Sequence, residues 1–155
     1  MITVSLKDFI LTGKFGPVHT GMTMDEVIDI LGIPGSVNHF QVSTGINYAW
    51  YEFFFDPEQD NRLTAIQNDH LMHTDEYAQG LAFANSRFSI DTWLLETGRN
   101  ISRNEIMTVL EAENIPWENV PFYDLDIIKL ESGVTLDFDV VNGEEVLNGI
   151  RYFPR

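Results

Sequence analysis

The residues in this chain with the types and spacing for chemistry are few. In "DHLMHTDE" (69–76), His70 and His73 would share a face if the segment were helical, and Asp69, Asp75 or Glu76 would complete a metal-binding set. The competing reading is a pair of solvated histidines on an irregular connector. His19 and His39 have no partner that the sequence can name. The pairs Asp124/Asp126 and Asp137/Asp139 look like D-x-D metal motifs, but no glycine and closing glutamate stand at calcium-loop spacing, so they read as solvated carboxylates. "GKFGPVHTG" (13–21) is glycine-rich without the GK[ST] ending of a phosphate loop. No serine sits in a G-x-S-x-G elbow, and there is no cysteine to act as nucleophile, thiolate ligand or disulfide partner. An enzyme is not expected, and neither is a cofactor.

Recognition chemistry is better represented. In "VTLDFDV" (134–140), Val134, Leu136, Phe138 and Val140 alternate with Thr135, Asp137 and Asp139, which fixes a buried and an outward face. Aligning "YEFFFD" (51–56) with "VTLDFD" (134–139) carries this pleat into the first half, where Tyr51, Phe53 and Phe55 face the core. Tyr48, Trp50, Glu52, Phe54 and Asp56 then look outward. A sheet face in water has no need of Trp and Phe, whereas tyrosine and tryptophan rimmed by acids suit a partner with basic and apolar features. The expected binding face is therefore Tyr48, Trp50, Glu52, Phe54 and Asp56 with Thr135, Asp137 and Asp139. Two other readings stay open: a second core under the connector at 70–89 or under the other half, and a homodimer contact on the same patch. Trp117, Phe122 and Tyr123 form a lesser aromatic group for which core packing is the default.

The elements that must position these residues carry their own punctuation. Thr23 and Glu26 form an S/T-x-x-E capping box ahead of Val27, Ile30 and Leu31, with Gly32 and Pro34 as the stop. Ser102 and Glu105 repeat the box ahead of Ile106, Val109 and Leu110, with Asn114 and Pro116 closing. Strands are expected over about 37–43, 46–55 and 62–68, then 126–131, 134–141 and 146–153, with turns at "STG", "PEQDN", "SG" and "NG". The expectation is an α+β fold, a tandem duplication of a helix-plus-antiparallel-sheet unit with helices on one sheet face. It is one domain over 1–155, with repeats at 1–69 and 90–155 joined by a connector at 70–89 whose Leu81, Phe83 and Phe88 pack on the core.

Charge bounds the partners. Twenty-four acidic residues stand against nine basic ones, a net charge of −15, shared as −8 over residues 1–80 and −7 over 81–155. Such a surface repels phosphate backbones and anionic membranes, so direct nucleic-acid binding and a membrane are not expected. The start, "MITVSLKDFILTG", lacks a basic region followed by a long apolar run, and a cytoplasmic protein is expected.

The string "FILTGKFGPVHTGMTMDEVIDILGIPG", followed by "YAWYEFFFD" and "RLTAIQ", resembles a widespread bacterial family without an established activity. The match is specific at Gly13, Phe15, Gly16, Gly21, Thr23, Gly32 and Pro34. The tandem layout and the "GMT..EV...LG.P" phrase are similar to the β-lactamase-inhibitor protein fold and to a small outer-membrane assembly lipoprotein. The cysteines and signal peptide of the one and the acylated cysteine of the other are missing here, so neither a β-lactamase target nor a membrane anchor carries over. The resemblance and the acidity together imply a non-enzymatic protein-binding module, most concretely an immunity-type inhibitor of a bacterial toxin, with a basic nuclease as one such target. The alternatives are a scaffold module, homodimeric or not, and a metal-binding protein or small enzyme using His70 and His73.

Overall fold

In a computed structural model, residues 1–72, 81–96 and 98–154 are described. The elements in chain order are β1 (Ile2–Ser5), α1 (Leu6–Thr12), α2 (Met24–Leu31), β2 (Ser36–His39), β3 (Thr44–Tyr48), β4 (Tyr51–Asp56), β5 (Arg62–Asn68), β6 (Phe88–Asp91), α3 (Arg103–Ala112), β7 (Trp117–Val120), β8 (Ile127–Leu130), β9 (Thr135–Val141) and β10 (Glu144–Tyr152). The fold is mixed helix and sheet: eight of the strands form one antiparallel sheet in the order β2-β3-β4-β5-β10-β9-β8-β7. β1 and β6 pair separately and in parallel. The order runs inward along the first half of the chain and outward along the second. The halves meet where Ile66, Gln67 and Asn68 of β5 lie opposite Tyr152, Arg151 and Ile150 of β10.

Local chemistry accounts for most boundaries. Thr23 accepts the Glu26 amide and Glu26 Oε1 accepts the Thr23 amide at 3.2 Å each, so the capping box of α2 is complete. At α3 only half of it forms around the backbone: Ser102 accepts the Glu105 amide at 3.1 Å, while the Glu105 carboxylate turns to Arg99, 2.6 Å away. Asn114, expected as the stop of α3, takes a left-handed φ of 55° just past it. Asn142 and Gly143, with φ of 51° and 78°, make the two-residue turn between β9 and β10, the mirror-image geometry that "NG" favours.

The expected strand over 46–55 is in fact two. Ala49 and Trp50 form a tight turn, with φ of 52° at Ala49, and Tyr48 lies directly opposite Tyr51. Four further elements have no counterpart among the expected ones: β1, α1, β6 and β7, with β6 pairing to β1 across some eighty-six positions of chain. Val27 and Leu31 of α2, Ile106 and Leu110 of α3, and Phe9 and Ile10 of α1 share one core with Phe53, Phe55, Leu63, Leu136 and Ile150 of the sheet. Phe15 is buried at its centre, with ring centroids 5.2 Å from Phe53, 5.5 Å from Tyr51 and 6.0 Å from Phe9 and Phe88. Leu81 and Phe88 are buried in the same core, and Phe83 packs against it. The glycine-rich segment is thus structural: Gly13 ends α1 at φ 74°, with the Tyr152 ring so close that a Cβ would fall 2.6 Å from it.

Candidate functional site

The face of the large sheet turned away from this core is where the chain's polar and aromatic side chains meet. Along β4, buried Tyr51, Phe53 and Phe55 alternate with half-exposed Glu52, Phe54 and Asp56. Along β9, buried Leu136 and Phe138 alternate with Thr135, Asp137 and exposed Asp139. These six outward positions follow the pleat that the sequence pattern gives. Tyr48 does not. The Ala49–Trp50 turn puts it on the same face as Tyr51, fully buried, with its hydroxyl donating to the Gly32 carbonyl at 2.7 Å. Burial pushes the Tyr48 and Tyr51 hydroxyls well above the ordinary tyrosine range. Trp50 leaves the strand altogether: it is half-buried on the turn, its ring centroid 4.2 Å from that of His70.

A row of side chains crosses the centre of this face. Glu52, Gln67, Arg151 and Thr135 are neighbours in the ladder across β4, β5, β10 and β9. Gln67 Nε2 donates to Glu52 Oε1 at 3.0 Å, Arg151 Nη1 to Gln67 Oε1 at 2.8 Å, and Arg151 Nε to Asp137 Oδ2 at 2.5 Å. Asp69 stands 3.8 Å from Arg151 Nη2 and 3.2 Å from His70 Nε2. The Asp137 carboxylate lies over Gly149, where a Cβ would come within 2.7 Å of Oδ2, so the absence of a side chain at 149 makes room for the ion pair. Burial raises the Glu52 carboxyl above its ordinary value; the Gln67 amide opposes that rise and Asp69 adds to it.

Beside this row the second half of the face opens into a groove of about 990 Å³, lined among others by Lys129, Thr135, Asp137, Arg151 and Phe153. Phe122 and Tyr123 stand on its wall. They are 52% and 95% exposed, packed edge to face with centroids 4.7 Å apart, and Tyr123 holds a left-handed φ of 53°. Core packing, the default for these two from sequence, is not their role; Trp117 is the member of that group that packs on the core. The signal that could have found them is the sequence "VPFYDLD" itself, where two rings follow a proline and lie among acids with no apolar period to bury them. On the first-half strands of the same face, the Phe40 ring lies across Gly45 with its centroid 6.0 Å from that of Phe54.

No family model, curated protein or solved structure matches this chain. The resemblances seen in the sequence therefore rest on their motifs alone. As for a metal, among the described residues no three His, Asp or Glu side chains come together as a ligand set. His70 is engaged with Asp69 and Trp50, and His73, Asp75 and Glu76 lie outside the described residues. Asp126 uses its backbone carbonyl to accept from Arg103, and Asp124 lines the groove. Among the described residues, no helix is long and apolar enough to cross a membrane.

Proposed function

We propose that this chain is a non-enzymatic protein-binding module whose working surface is the open face of the large sheet, and most concretely an immunity-type inhibitor that occludes a bacterial toxin. The observation that carries the reading is the groove: exposed Phe122 and Tyr123 stand over a floor in which the Asp137 carboxylate already accepts from Arg151 and Asn148. A catalytic floor keeps a base or nucleophile free to act, whereas a docking floor is satisfied before the partner arrives and contributes shape and charge. Aromatic anchors ringed by acids on a chain of net charge −15 fit a basic partner, such as a nuclease with a cationic substrate groove. The mechanism is steric block with charge complementarity: Phe122, Tyr123 and Phe54 anchor, and Asp139, Asp56 and the Asp137 row face lysines and arginines. The compartment is the cytoplasm.

The two halves are best read as one duplicated helix-plus-sheet unit. Three features support this: the strand order mirrored about β5 and β10, the offset of 79 shared by both cap pairs, and bridges of the same kind from each cap residue, Thr23 to Arg62 and Ser102 to Val146.

The test is capture from the native cell with three baits: wild type, Phe122→Ala with Tyr123→Ala, and Asp139→Lys. A toxin-like basic protein held by wild type, lost with the aromatic pair and bound more slowly as salt rises supports the reading. A partner retained equally by all three baits overturns it.

A further inference from the structure

Among the described residues the large sheet is open, so each terminal strand leaves a row of backbone N–H and C=O groups without a strand neighbour. The two ends treat this differently. β7 has Pro116 immediately before it, Pro121 immediately after it and Glu118 within it, and prolines and charge are the usual means of keeping an edge from pairing. β2 has none of these in or against it, and all four of its residues are exposed. From Ile30 to Tyr51 the chain carries no Asp, Glu, Lys or Arg, although such residues make up 21% of the whole. Apolar side chains crowd this bare end instead: Ile33 is 89% and Val42 76% exposed, and about half of Val37 and Phe40 is in water.

The backbone geometry says which groups are on offer. The Phe40 amide donates inward to the Ser43 carbonyl at 2.8 Å, closing the β2–β3 hairpin. Amide directions alternate along a strand, so Asn38 also turns toward β3, while Val37 and His39 direct their N–H and C=O groups outward.

We propose that β2 is a pairing edge and that its occupant is the β2 of a second copy of this chain, the two strands running antiparallel about a twofold axis at Asn38. Charge selects this occupant. Two chains of −15 repel each other over most of their surfaces, and the neutral edge is where they can approach. A basic partner would gain nothing from a neutral edge and would prefer the acidic faces. An edge paired with itself is used up in a dimer, and the guarded β7 gives no site for further growth. The inference stands apart from the sheet-face reading, since a dimer through β2 leaves both grooves open.

The experiment is sedimentation equilibrium of the purified chain over a range of concentration and salt. Wild type should reach twice the 17.7 kDa chain mass and stop there. Added salt should tighten the association by screening the repulsion, the opposite of its effect on docking to a basic partner. Val37→Lys places like charges across the axis, and His39→Pro deletes an outward amide without touching a β3 bond. Each should weaken the dimer about tenfold or more. Val140→Lys, on an exposed apolar position of β9, should leave it intact. A monomer under all conditions, growth beyond two, or a dimer indifferent to both β2 variants while their far-UV dichroism stays native would overturn the proposal.

Discussion

The two ends of the large sheet share one core and finish differently. At the β2 end the outer face is closed over by Phe40 against Gly45 and Phe54, and the strand edge is neutral and bare. At the β7 end the edge is guarded by prolines and a glutamate, while the face is left open as a groove under Phe122 and Tyr123. Edge and face are thus exposed in complementary fashion. The difference teaches that a single sheet can offer main-chain pairing at one end and side-chain docking at the other without either site disturbing its neighbour.

That comparison holds only if the ends are one cooperative body, and the largest expected effect tests this. Phe53→Ala in β4 removes a fully buried ring touching Phe15 and Tyr48 and should cost about 3–5 kcal/mol. Fluorescence and far-UV dichroism should still report one coincident urea transition; two separate transitions would mean that the halves fold independently.

Next come the two caps. Thr23→Ala and Ser102→Ala should each lose about 1 kcal/mol in urea denaturation, with Thr23→Ala the more costly because its box is complete. Their pH behaviour should differ too. The Thr23 amide and then its hydroxyl hold the Glu26 carboxyl below its ordinary value. The stability this contributes is present above the ordinary glutamate range and is lost as pH falls through the lowered value. Thr23→Ala removes the hydroxyl and keeps the amide, so it should flatten that acid limb in part, and Ser102→Ala should leave it in place.

Ala49→Gly sharpens the contrast at the β3–β4 turn, where an alanine holds φ at 52°. Relief of the left-handed strain, less the extra flexibility of an unfolded glycine, should raise stability by about 0.5–1 kcal/mol, read as a higher urea midpoint. This turn is also where the sequence misleads. "YAW" contains neither Gly nor Asn, so alternation runs straight through it, and Tyr48 is assigned to the wrong face. Tyr48 accordingly joins the core and Trp50 moves to the turn. Where chemistry marks the chain locally, at the Thr23–Glu26 box, the Asn142–Gly143 turn and the alternation of β9 up to Asp139, fold and facing could be read directly, whereas Val140, expected inward, lies past the edge of the core and is half exposed. The exposed rings of Phe122 and Tyr123 were visible as residues but not as a surface, because exposure is decided by what other elements leave uncovered. The Arg151 network was hidden for a related reason: Gln67, Arg151 and Asp137 come together only through the pairing of β5, β10 and β9.

The smallest expected effect belongs to Glu52→Gln at the junction of the two ends. Burial holds the Glu52 carboxyl above its ordinary value, so its charged form is the one the fold disfavours. Its contribution is therefore most favourable below the ordinary glutamate range and is eroded as pH rises through the raised value. The amide keeps an acceptor for Gln67 and carries no charge. The variant should gain slightly over wild type at neutral pH and lose that advantage in acid, and a thermal melt at the two conditions reads the difference.

The position of β10 has a consequence for the making of the protein. It is the tenth strand of the described chain to leave a ribosome, and it belongs in the middle of the sheet, between β5 and β9. Until it arrives, a nascent β5 presents Leu63, Ala65 and Ile66 with its inner edge unfilled, some eighty residues ahead of its neighbour. Synthesis must therefore reach β10 before the sheet can close, and a ribosome stalled ahead of it would hold a half-built strand array that invites capture by chaperones.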